Sequence, residues 1–454
     1  MVGLILLLVG LVGIVFGSYK ISKGAFMSPE IGFSLCFVPQ VAYAFLFVKY
    51  WDISLTPQTV LTMLGGCLLF AIVSLLIGFL IDRIFAKKSI GVSYETSQKS
   101  DVIIKCSKLH LIAFAVFHVA TLVWTVVFLL QVYGSNDLGA AIAYFNDINK
   151  FTDQTIEMPF VLGKFRILCL ASGYVWSYLL AHSLVYKYKA EKILLAGNMG
   201  LCLITSVITG SRTDVFLLVV AFVVCLGVFF GKKNNWKIKV TVKAATISVG
   251  VVLGFVLSFQ ALGNLLGRGS EISIIEYIGI YLSAELKNLD IFIREGNFGA
   301  PVNRWQTLIE VVNVIGDRLN MPELIHKLDI PFRNINGHDL GNVATVFYAF
   351  LYDFGYLGVV IFIPVMAAIC QLIYKLAIRY RAKENRISLS LVIYSYVYFT
   401  IVFSFFSNKF YEHIFSGYFV YMIVFWLLFK LYIEFFTIDR LKAIADKVFL
   451  GKHK

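Results

Sequence analysis

Six consecutive residues, TGSRTD at positions 209–214, bring an arginine, a carboxylate and several hydroxyl groups together between two apolar stretches. A guanidinium beside hydroxyl donors can bind an oxyanion through charge-assisted hydrogen bonds. The turn is so short that Arg212 and Asp214 must lie at the membrane boundary, where ionisable groups usually mark a site or a pathway. The alternative is that Arg212 pairs with Asp214 or with lipid and only anchors the turn.

A second polar run, NGHDLGNVAT at positions 336–345, leads into FYAFLYDFGYLG at 347–358. The chain is expected to re-enter the membrane here, with Asp353 roughly three turns into the helix. A carboxylate at that depth needs a partner or a function. His338 would lie at the mouth, where a nearby anion favours its protonated form. The alternative for His338 is a solvated or structural histidine.

The elements that must position these residues are apolar. The chain is 59% hydrophobic and 15% charged, with a mean hydropathy of +0.81. A bilayer core about 30 Å thick needs about 20 apolar residues per helix, and lipid cannot satisfy open backbone groups. We therefore predict an all-α polytopic membrane protein. The eleven predicted spans are 2–18, 31–48, 58–82, 109–132, 160–185, 192–209, 213–230, 243–263, 343–375, 387–406 and 412–436.

The connecting segments alternate between basic and sparsely charged. Short cytoplasmic loops concentrate Lys and Arg, so the alternation predicts an external N-terminus and a cytoplasmic C-terminus. The net charge of +13 is then mostly a matter of topology, and the scattered cations form no patch for nucleic acid. The basic segments are 83–108, 187–192, 232–243, 379–386 and the tail 440–454.

The segment 264–342 is too long for a simple connection. Apolar residues recur at helical spacing from 272 to 293 and from 303 to 320, and the first run is expected to be an amphipathic helix at the membrane surface. We interpret the chain as a single integral membrane domain, 1–454, with 264–342 as a large external loop that forms a lid over a site. The alternative is a cap that merely covers the bundle.

Several classes of site have no support in the sequence. The cysteines lie in apolar spans or, for Cys106, in a cytoplasmic loop, so no external disulfide framework is expected. The CxxC, HExxH and GxxxxGK patterns are absent, which leaves an ATP-driven pump or a zinc hydrolase unsupported. We predict no cofactor.

The run TGSRTDVF, the long helical external loop and GNVATVFYAFLYDFGYLG together resemble the O-antigen polymerase (Wzy) family, the oligosaccharide repeat-unit polymerases of bacteria. The DFGxxG pattern is the most specific part. Arg268 and Gly279 also show an eleven-residue spacing described in some members. The resemblance implies a GT-C-type glycosyltransferase fold in the bacterial plasma (inner) membrane. It also implies a chain-length-regulating co-polymerase as a partner, besides the lipid bilayer.

The resemblance further implies the reaction: a growing glycan moves from undecaprenyl diphosphate to another lipid-linked repeat unit. The leaving diphosphate needs fixed positive charge. The chain has no Asp-x-Asp, so a metal-independent mechanism with guanidinium groups is expected. An acceptor hydroxyl needs a proton acceptor, and the sequence does not choose among Glu271, His338, Asp339 and Asp353. The diphosphate-binding candidates are Arg212, Arg268, Arg294, Arg304 and Arg333, with Ser211.

Two alternatives stay open. An O-antigen ligase would use the same donor, and His338 at the re-entry point also fits that family. A lipid-linked oligosaccharide flippase or other transporter needs a polar path at the midplane, usually between inverted repeats. Few ionisable residues are expected deep in the spans, chiefly His118, His182 and Asp353, and no repeat is apparent.

Overall fold

The computed structural model describes residues 1–88, 103–152, 155–209, 212–236, 273–299, 304–379 and 386–435. Within these ranges the chain is almost entirely helical, with one short antiparallel ribbon. The helices are α1 (Val2–Ile21), α2 (Pro29–Ala44), α3 (Pro57–Lys88), α4 (Lys108–Tyr133), α5 (Leu138–Phe151), α6 (Phe160–Tyr186), α7 (Lys192–Val207), α8 (Arg212–Lys233), α9 (Ile274–Leu282), α10 (Ala284–Glu295), α11 (Ile309–Leu319), α12 (Val346–Arg379), α13 (Leu389–Val402), α14 (Lys409–Ile414) and α15 (Gly417–Phe435). The ribbon pairs β1 (Arg333–Ile335) with β2 (His338–Gly341).

In the described ranges, eight helices are long and apolar enough to cross a membrane, and Lys192–Val207 and Leu389–Phe405 are shorter apolar helices. Many of their large apolar side chains are exposed, as contact with lipid requires. The chain therefore has the architecture of an all-α polytopic membrane protein. Ten of the eleven predicted spans coincide with helices. The eleventh, 243–263, lies outside the described residues, and the exact number of spans stays a prediction.

Helices α2, α3 and α12 form an aromatic centre. The Phe33 ring stacks on Phe70 at 4.2 Å between centroids, and Phe37 stacks on Phe347 at 5.8 Å. A Cβ atom added at Gly66 would lie 2.3 Å from the Phe347 ring, so α3 and α12 meet at a position that only glycine allows. These rings fix the height at which α12 begins in the bundle.

Helix α12 cannot be straight. Phe347 packs on Gly66, and the Lys375 amine lies 3.2 Å from the Asp82 carboxylate. The two partners on α3 are separated by about 24 Å, whereas a straight α12 would separate Phe347 from Lys375 by about 42 Å. The chain must therefore double back between them.

The reversal occurs at Gly355, whose φ of 59° and ψ of −151° are not helical. An L-residue with a side chain rarely adopts such a conformation. The carbonyl oxygen of Phe350 lies 2.3 Å from the position of a Cβ at Gly358, and the Phe350 ring stacks on Phe362 at 5.5 Å. The first part of the helix, α12a (346–354), thus folds back beside the second part, α12b (356–379).

The bend corrects the predicted depth of Asp353. The chain enters the bundle through residues 342–345, and α12a then runs back out toward the end at which α3 begins. Asp353 follows only about two turns of helix. It therefore lies near the end of the bundle rather than three turns inside. The sequence-based expectation was wrong because it assumed one continuous helix.

The bundle has two distinct ends. The cap end carries the segments 45–56, 134–152, 304–345 and 403–416, and the basic end carries 22–28, 187–191, 234–236 and 386–388. At the cap end, α10 differs from the amphipathic surface helix expected from sequence. Its residues from Ala284 to Asp290 are all buried, charged ones included. Ser283 separates α10 from α9, whose Ile274 and Ile275 are exposed.

The orientation predicted from the basic loops can be tested with exposed positions at both ends. We expect Ser135→Cys and Glu323→Cys, at the cap end, to react with a membrane-impermeant maleimide on intact cells. Lys189→Cys and Asn235→Cys, at the basic end, should react only after the cells are opened. Labelling is measured against the parental cysteines. A reversed pattern at any of the four positions would contradict the external placement of the cap end.

Candidate functional site at the cap end

The described residues 273–299 and 304–345 form a cap over the bundle, and Asp353 fastens this cap to α12a. Its carboxylate accepts hydrogen bonds from the backbone N–H groups of Gln306, at 3.0 Å, and Thr307, at 2.6 Å. The Thr307 hydroxyl also donates to the carbonyl oxygen of Ala349, at 3.1 Å. Both carboxylate oxygens thus hold the 3₁₀ turn Gln306–Leu308 in the way that an N-cap residue holds a helix. This is an anchoring role for a residue proposed from sequence as a proton acceptor.

Asp290 and Arg294 form a second anchor, between α10 and the start of α3. The buried Asp290 carboxylate accepts from the Thr56 backbone N–H at 2.8 Å and from the Thr59 hydroxyl at 2.7 Å. The Arg294 guanidinium donates to Asp290 at 2.8 Å and also bonds Ser54. Arg294, a predicted diphosphate ligand, therefore holds α10 in place.

Glu285 is a fully buried carboxyl that the sequence analysis did not single out as a site residue. The Gln40 amide donates to the Phe405 carbonyl oxygen at 2.9 Å and to one Glu285 oxygen at 3.3 Å. Burial raises the pKa of Glu285 well above its usual range, although its own backbone and Gln40 oppose the shift. The charged form is therefore disfavoured where this carboxyl group lies against α2.

The β1–β2 ribbon holds three further predicted residues. His338 Nδ1 lies 2.7 Å from the Glu276 carboxylate on α9. Within the ribbon, the Asn334 amide donates a hydrogen bond to the Asp339 carboxylate at 2.8 Å. Arg333 forms a two-pronged pair with Glu295, at 2.7 and 2.8 Å. All three side chains are thus engaged within the cap.

The remaining predicted residues are not brought together in the described structure. Arg304 is exposed just before the 3₁₀ turn. Arg212 begins α8, but its side chain lies outside the described part of the chain. Ser211, Arg268 and Glu271 also lie outside the described residues.

Arg166, on α6, lies beside the TGSRTD turn and is not among the site residues predicted from sequence. Its guanidinium donates to the Thr209 hydroxyl at 2.6 Å and to the Thr125 hydroxyl on α4 at 3.4 Å. Asp214 is close enough to attract it electrostatically. The turn predicted to bind an oxyanion therefore lies against a second arginine, inside an apolar span. In the sequence, the sign of this site is a charged residue, Arg166, six positions into the predicted apolar span 160–185.

A chain of polar side chains continues from Arg166 across α8, α13 and α14. Asp214 on α8 and Tyr418 on α15 lie near the Arg166 guanidinium, and Tyr396 on α13 lies near the Asp214 carboxylate. The Tyr396 hydroxyl lies 3.0 Å from His413 Nδ1. Burial, followed by the nearby Lys409 ammonium, lowers the pKa of His413 to about 4, so His413 is neutral at neutral pH.

Glu412, which follows Tyr411 and precedes His413 in the chain, lines a small pocket under the cap. One of its carboxylate oxygens lies 2.5 Å from the Lys409 amine. The pocket has a volume of about 10 Å³, room for roughly one water molecule, and we call it the cap pocket. Partial desolvation, and then the like charge of Glu412, raises the pKa of Glu310 nearby, while Lys409 opposes this shift. The cap pocket is lined by Gln306, Leu328, Ile330, Ala344, Thr345, Tyr348, Ala349, Ser407, Asn408 and Glu412.

No group of three or more His, Cys, Asp or Glu side chains in the described ranges is arranged to hold a metal ion. No protein-family model matches the chain, and no similar protein is found among curated proteins or solved structures. In the described structure, a polar layer at the cap end joins Arg166 to the cap pocket.

The anchoring role of Asp353 predicts a loss of stability when its carboxylate is removed. Asp353→Ala leaves two backbone N–H groups without an acceptor, which should cost about 1–3 kcal/mol for each buried group. Asp353→Asn should also destabilise the cap, because an amide presents an N–H group to one of the two donors. The thermal midpoint in detergent and the rate of tryptic cleavage at Arg318 and Lys327 measure the effect.

The matched control is Asp339→Asn, which changes an exposed carboxylate on the ribbon. It should leave both the midpoint and the cleavage rate near the parental values. Unchanged cleavage in both Asp353 variants would contradict the anchor.

Proposed function

We propose that this chain polymerises lipid-linked oligosaccharide repeat units at the outer face of a bacterial plasma membrane. A growing glycan is transferred from undecaprenyl diphosphate to the non-reducing sugar of another lipid-linked repeat unit. The bond from the anomeric carbon to the diphosphate oxygen breaks, a bond to the acceptor oxygen forms, and the acceptor hydroxyl loses its proton. The product belongs to O-antigen or a similar surface polysaccharide.

The observation that carries the proposal is the pairing of the TGSRTD turn with Arg166. A diphosphate leaving group develops negative charge, which fixed donors in an apolar surrounding stabilise more effectively than water does. Arg166 offers nitrogen donors at the turn that also contains Arg212. We assign the donor diphosphate to this region, with no metal ion required, and the polyprenyl chain to the lipid-facing helices beside it.

Arg294 and Arg333, both in the cap, fit this assignment less well than Arg166 does. Arg294 and Arg333 already pair with carboxylates, Asp290 and Glu295, in the cap. Breaking such a pair to bind a phosphate would leave a carboxylate uncompensated, which is unfavourable where the carboxylate is buried, as Asp290 is. We therefore propose that these two arginines shape the cap.

The same layer could serve a ligase, which takes the same donor and transfers to lipid A–core. His338 motivates that alternative, but its ring already lies 2.7 Å from Glu276. A strain that lacks this chain separates the classes by its surface glycans. Loss of a polymerase leaves single repeat units on the surface lipid, whereas loss of a ligase leaves none. Loss of a flippase traps lipid-linked units inside the cell. We expect single repeat units, and either other pattern would refute the proposal.

A substitution that keeps the charge tests the role of the arginines. Arg166→Lys and Arg212→Lys should each lower polymerisation on the order of 10²-fold, because an ammonium cannot offer a planar fork to a diphosphate. Product length on a gel and the initial rate with lipid-linked repeat units measure the effect. The control is Arg318→Lys on the exposed face of α11, which should polymerise at the parental rate.

An arginine that only anchors its helix at the interface can be replaced by a lysine, whose long side chain reaches the same boundary. Near-parental polymer length in both variants, at equal protein level, would therefore assign Arg166 and Arg212 to anchoring.

A further inference from the structure

Lys164, in the second turn of α6, holds its charge against two aromatic rings. Its amine lies 3.4 Å from the centre of the Tyr421 ring on α15 and 5.1 Å from the centre of the Phe160 ring on its own helix. Among the described residues, this amine pairs with no carboxylate. An aromatic face attracts a cation without neutralising it, so the charge of Lys164 remains available to an anion.

The two helices that hold Lys164 expose apolar side chains beside it. Phe160 is 74% exposed and Val161 is 49% exposed on α6, and Val420 is 61% exposed on α15. Both helices are long and apolar enough to cross a membrane, so side chains with this exposure contact lipid. Lys164 and Tyr421 each lie four positions after the start of their helix, about 6 Å from its cap end. The unpaired amine therefore lies on a lipid-facing surface near the membrane boundary.

The same two helices also carry the Arg166 contact. Tyr418 precedes Tyr421 by three positions on α15 and lies near the Arg166 guanidinium. Arg166 follows Lys164 by two positions on α6, which turns it about 200° around the helix axis. It accordingly bonds Thr209 on the far side of α6. We call the contact formed by Lys164, Arg166, Tyr418 and Tyr421 the α6–α15 seam, and it has one cation toward lipid and one toward the interior.

This arrangement restricts the chemistry of a ligand. A soluble phosphate has no apolar group for Val161 and Val420, and a neutral lipid has no charge for Lys164. The ligand that fits both is an anion carried on a hydrocarbon chain. A second cation on the inner side fits an anion that moves inward while its chain stays in the bilayer. A polyprenyl diphosphate meets all of these conditions, because its charge is concentrated at one end of a flexible apolar chain.

We propose that the α6–α15 seam is the lateral entrance for the lipid-linked donor and that Lys164 is the first residue to bind its diphosphate. This inference rests on the proposed function and adds the route of the donor and a further binding residue. The ammonium of Lys164 holds the diphosphate at the membrane boundary as a point charge, which suits a first contact. The diphosphate then passes to Arg166, whose planar guanidinium can bind two of its oxygens. The polyprenyl chain stays in lipid along Val161 and Val420.

Three variants separate the charge of Lys164 from its packing. Lys164→Gln removes the charge and keeps most of the side chain, whereas Lys164→Arg keeps the charge and can still stack on Tyr421. The matched control is Lys20→Gln, because the Lys20 amine lies 4.5 Å from the Phe16 ring on α1, at the basic end of the bundle. All three should keep the parental thermal midpoint in detergent, since a single cation–π contact contributes little to stability.

Binding is measured with undecaprenyl diphosphate and the purified full chain in phosphatidylcholine nanodiscs. We expect Lys164→Gln to weaken binding on the order of tenfold, as the loss of one charge-assisted contact implies, and the other two variants to stay within about twofold of the parent. Phosphatidylglycerol is titrated in parallel and should lose less affinity than undecaprenyl diphosphate does. An equal loss for both lipids would make Lys164 a contact for any anionic headgroup and would refute the entrance.

Photocrosslinking locates the polyprenyl chain independently of affinity. A benzophenone amino acid at Val420 should crosslink to bound undecaprenyl diphosphate. The control position is Leu61, which is 73% exposed and lies four positions after the start of α3 at the same end of the bundle. It should give only the background that phosphatidylglycerol gives. Equal crosslinking at the two positions would contradict entry at the α6–α15 seam.

The outcomes distinguish this inference from the proposed function. If the parental protein binds undecaprenyl diphosphate no more tightly than phosphatidylglycerol, the donor site fails, and the entrance fails with it. If the parent binds undecaprenyl diphosphate selectively and Lys164→Gln binds it equally well, the entrance is refuted while the polymerase proposal stands. Lys164 is then an interfacial anchor only, as long basic side chains near helix ends often are.

Discussion

The position of the cap over α12 depends on the Asp353 carboxylate, two residues before the glycine that reverses this helix. Gly355 reverses α12 so that α12a ends at the cap, and Asp353 then offers both its oxygens to the backbone of the cap's 3₁₀ turn. Without the reversal, Asp353 would be carried into the membrane, where backbone donors from the cap cannot follow. The position of Gln306 and Thr307 depends on these two hydrogen bonds. Gln306 also lines the cap pocket, so the wall that it forms depends on them as well.

The same constraint explains the other charged groups at the cap end. Ionisable side chains near lipid need partners or must be neutral. Asp290 is satisfied by Thr56, Thr59 and Arg294, whereas burial raises the pKa of Glu285 and so disfavours its charged form. Lys287 donates to the Asp52 carbonyl oxygen at 2.5 Å, and loss of hydration lowers its pKa although the nearby carboxylates oppose the shift. One Glu285 oxygen nevertheless lacks a hydrogen-bond partner among the described residues, as do several polar atoms of the cap pocket.

Hydropathy predicted the helices well because the length of a span is set by the thickness of the bilayer. The bend in α12 was missed, although the glycine in YDFGYLG was visible, since helical hydropathy continues on both sides of it. Apolar residues at helical spacing predict a surface helix at α10, and only its partners, among them Gln40 on α2 and Thr59 on α3, show how its charged residues are buried. Arg166 was overlooked as a single charge in a long apolar run, yet it meets the turn that the sequence did identify. The cap pocket could not be predicted from sequence, because its residues come from segments far apart in the chain.

That separation has a consequence for how the protein is made. Asn408 donates to the carbonyl oxygen of Thr307, 101 positions earlier in the chain. Synthesis proceeds from the N-terminus, so the cap leaves the ribosome before Ser407, Asn408 and Glu412, which line the cap pocket, have been translated. Asp353 reaches the cap first, while α13 and the residues that follow it are still to be translated and inserted. A nascent chain therefore carries a fastened cap over an unfinished cavity, and only insertion of the last helices completes it. Premature termination anywhere before Ser407 would yield a membrane-inserted protein with no cavity to fill.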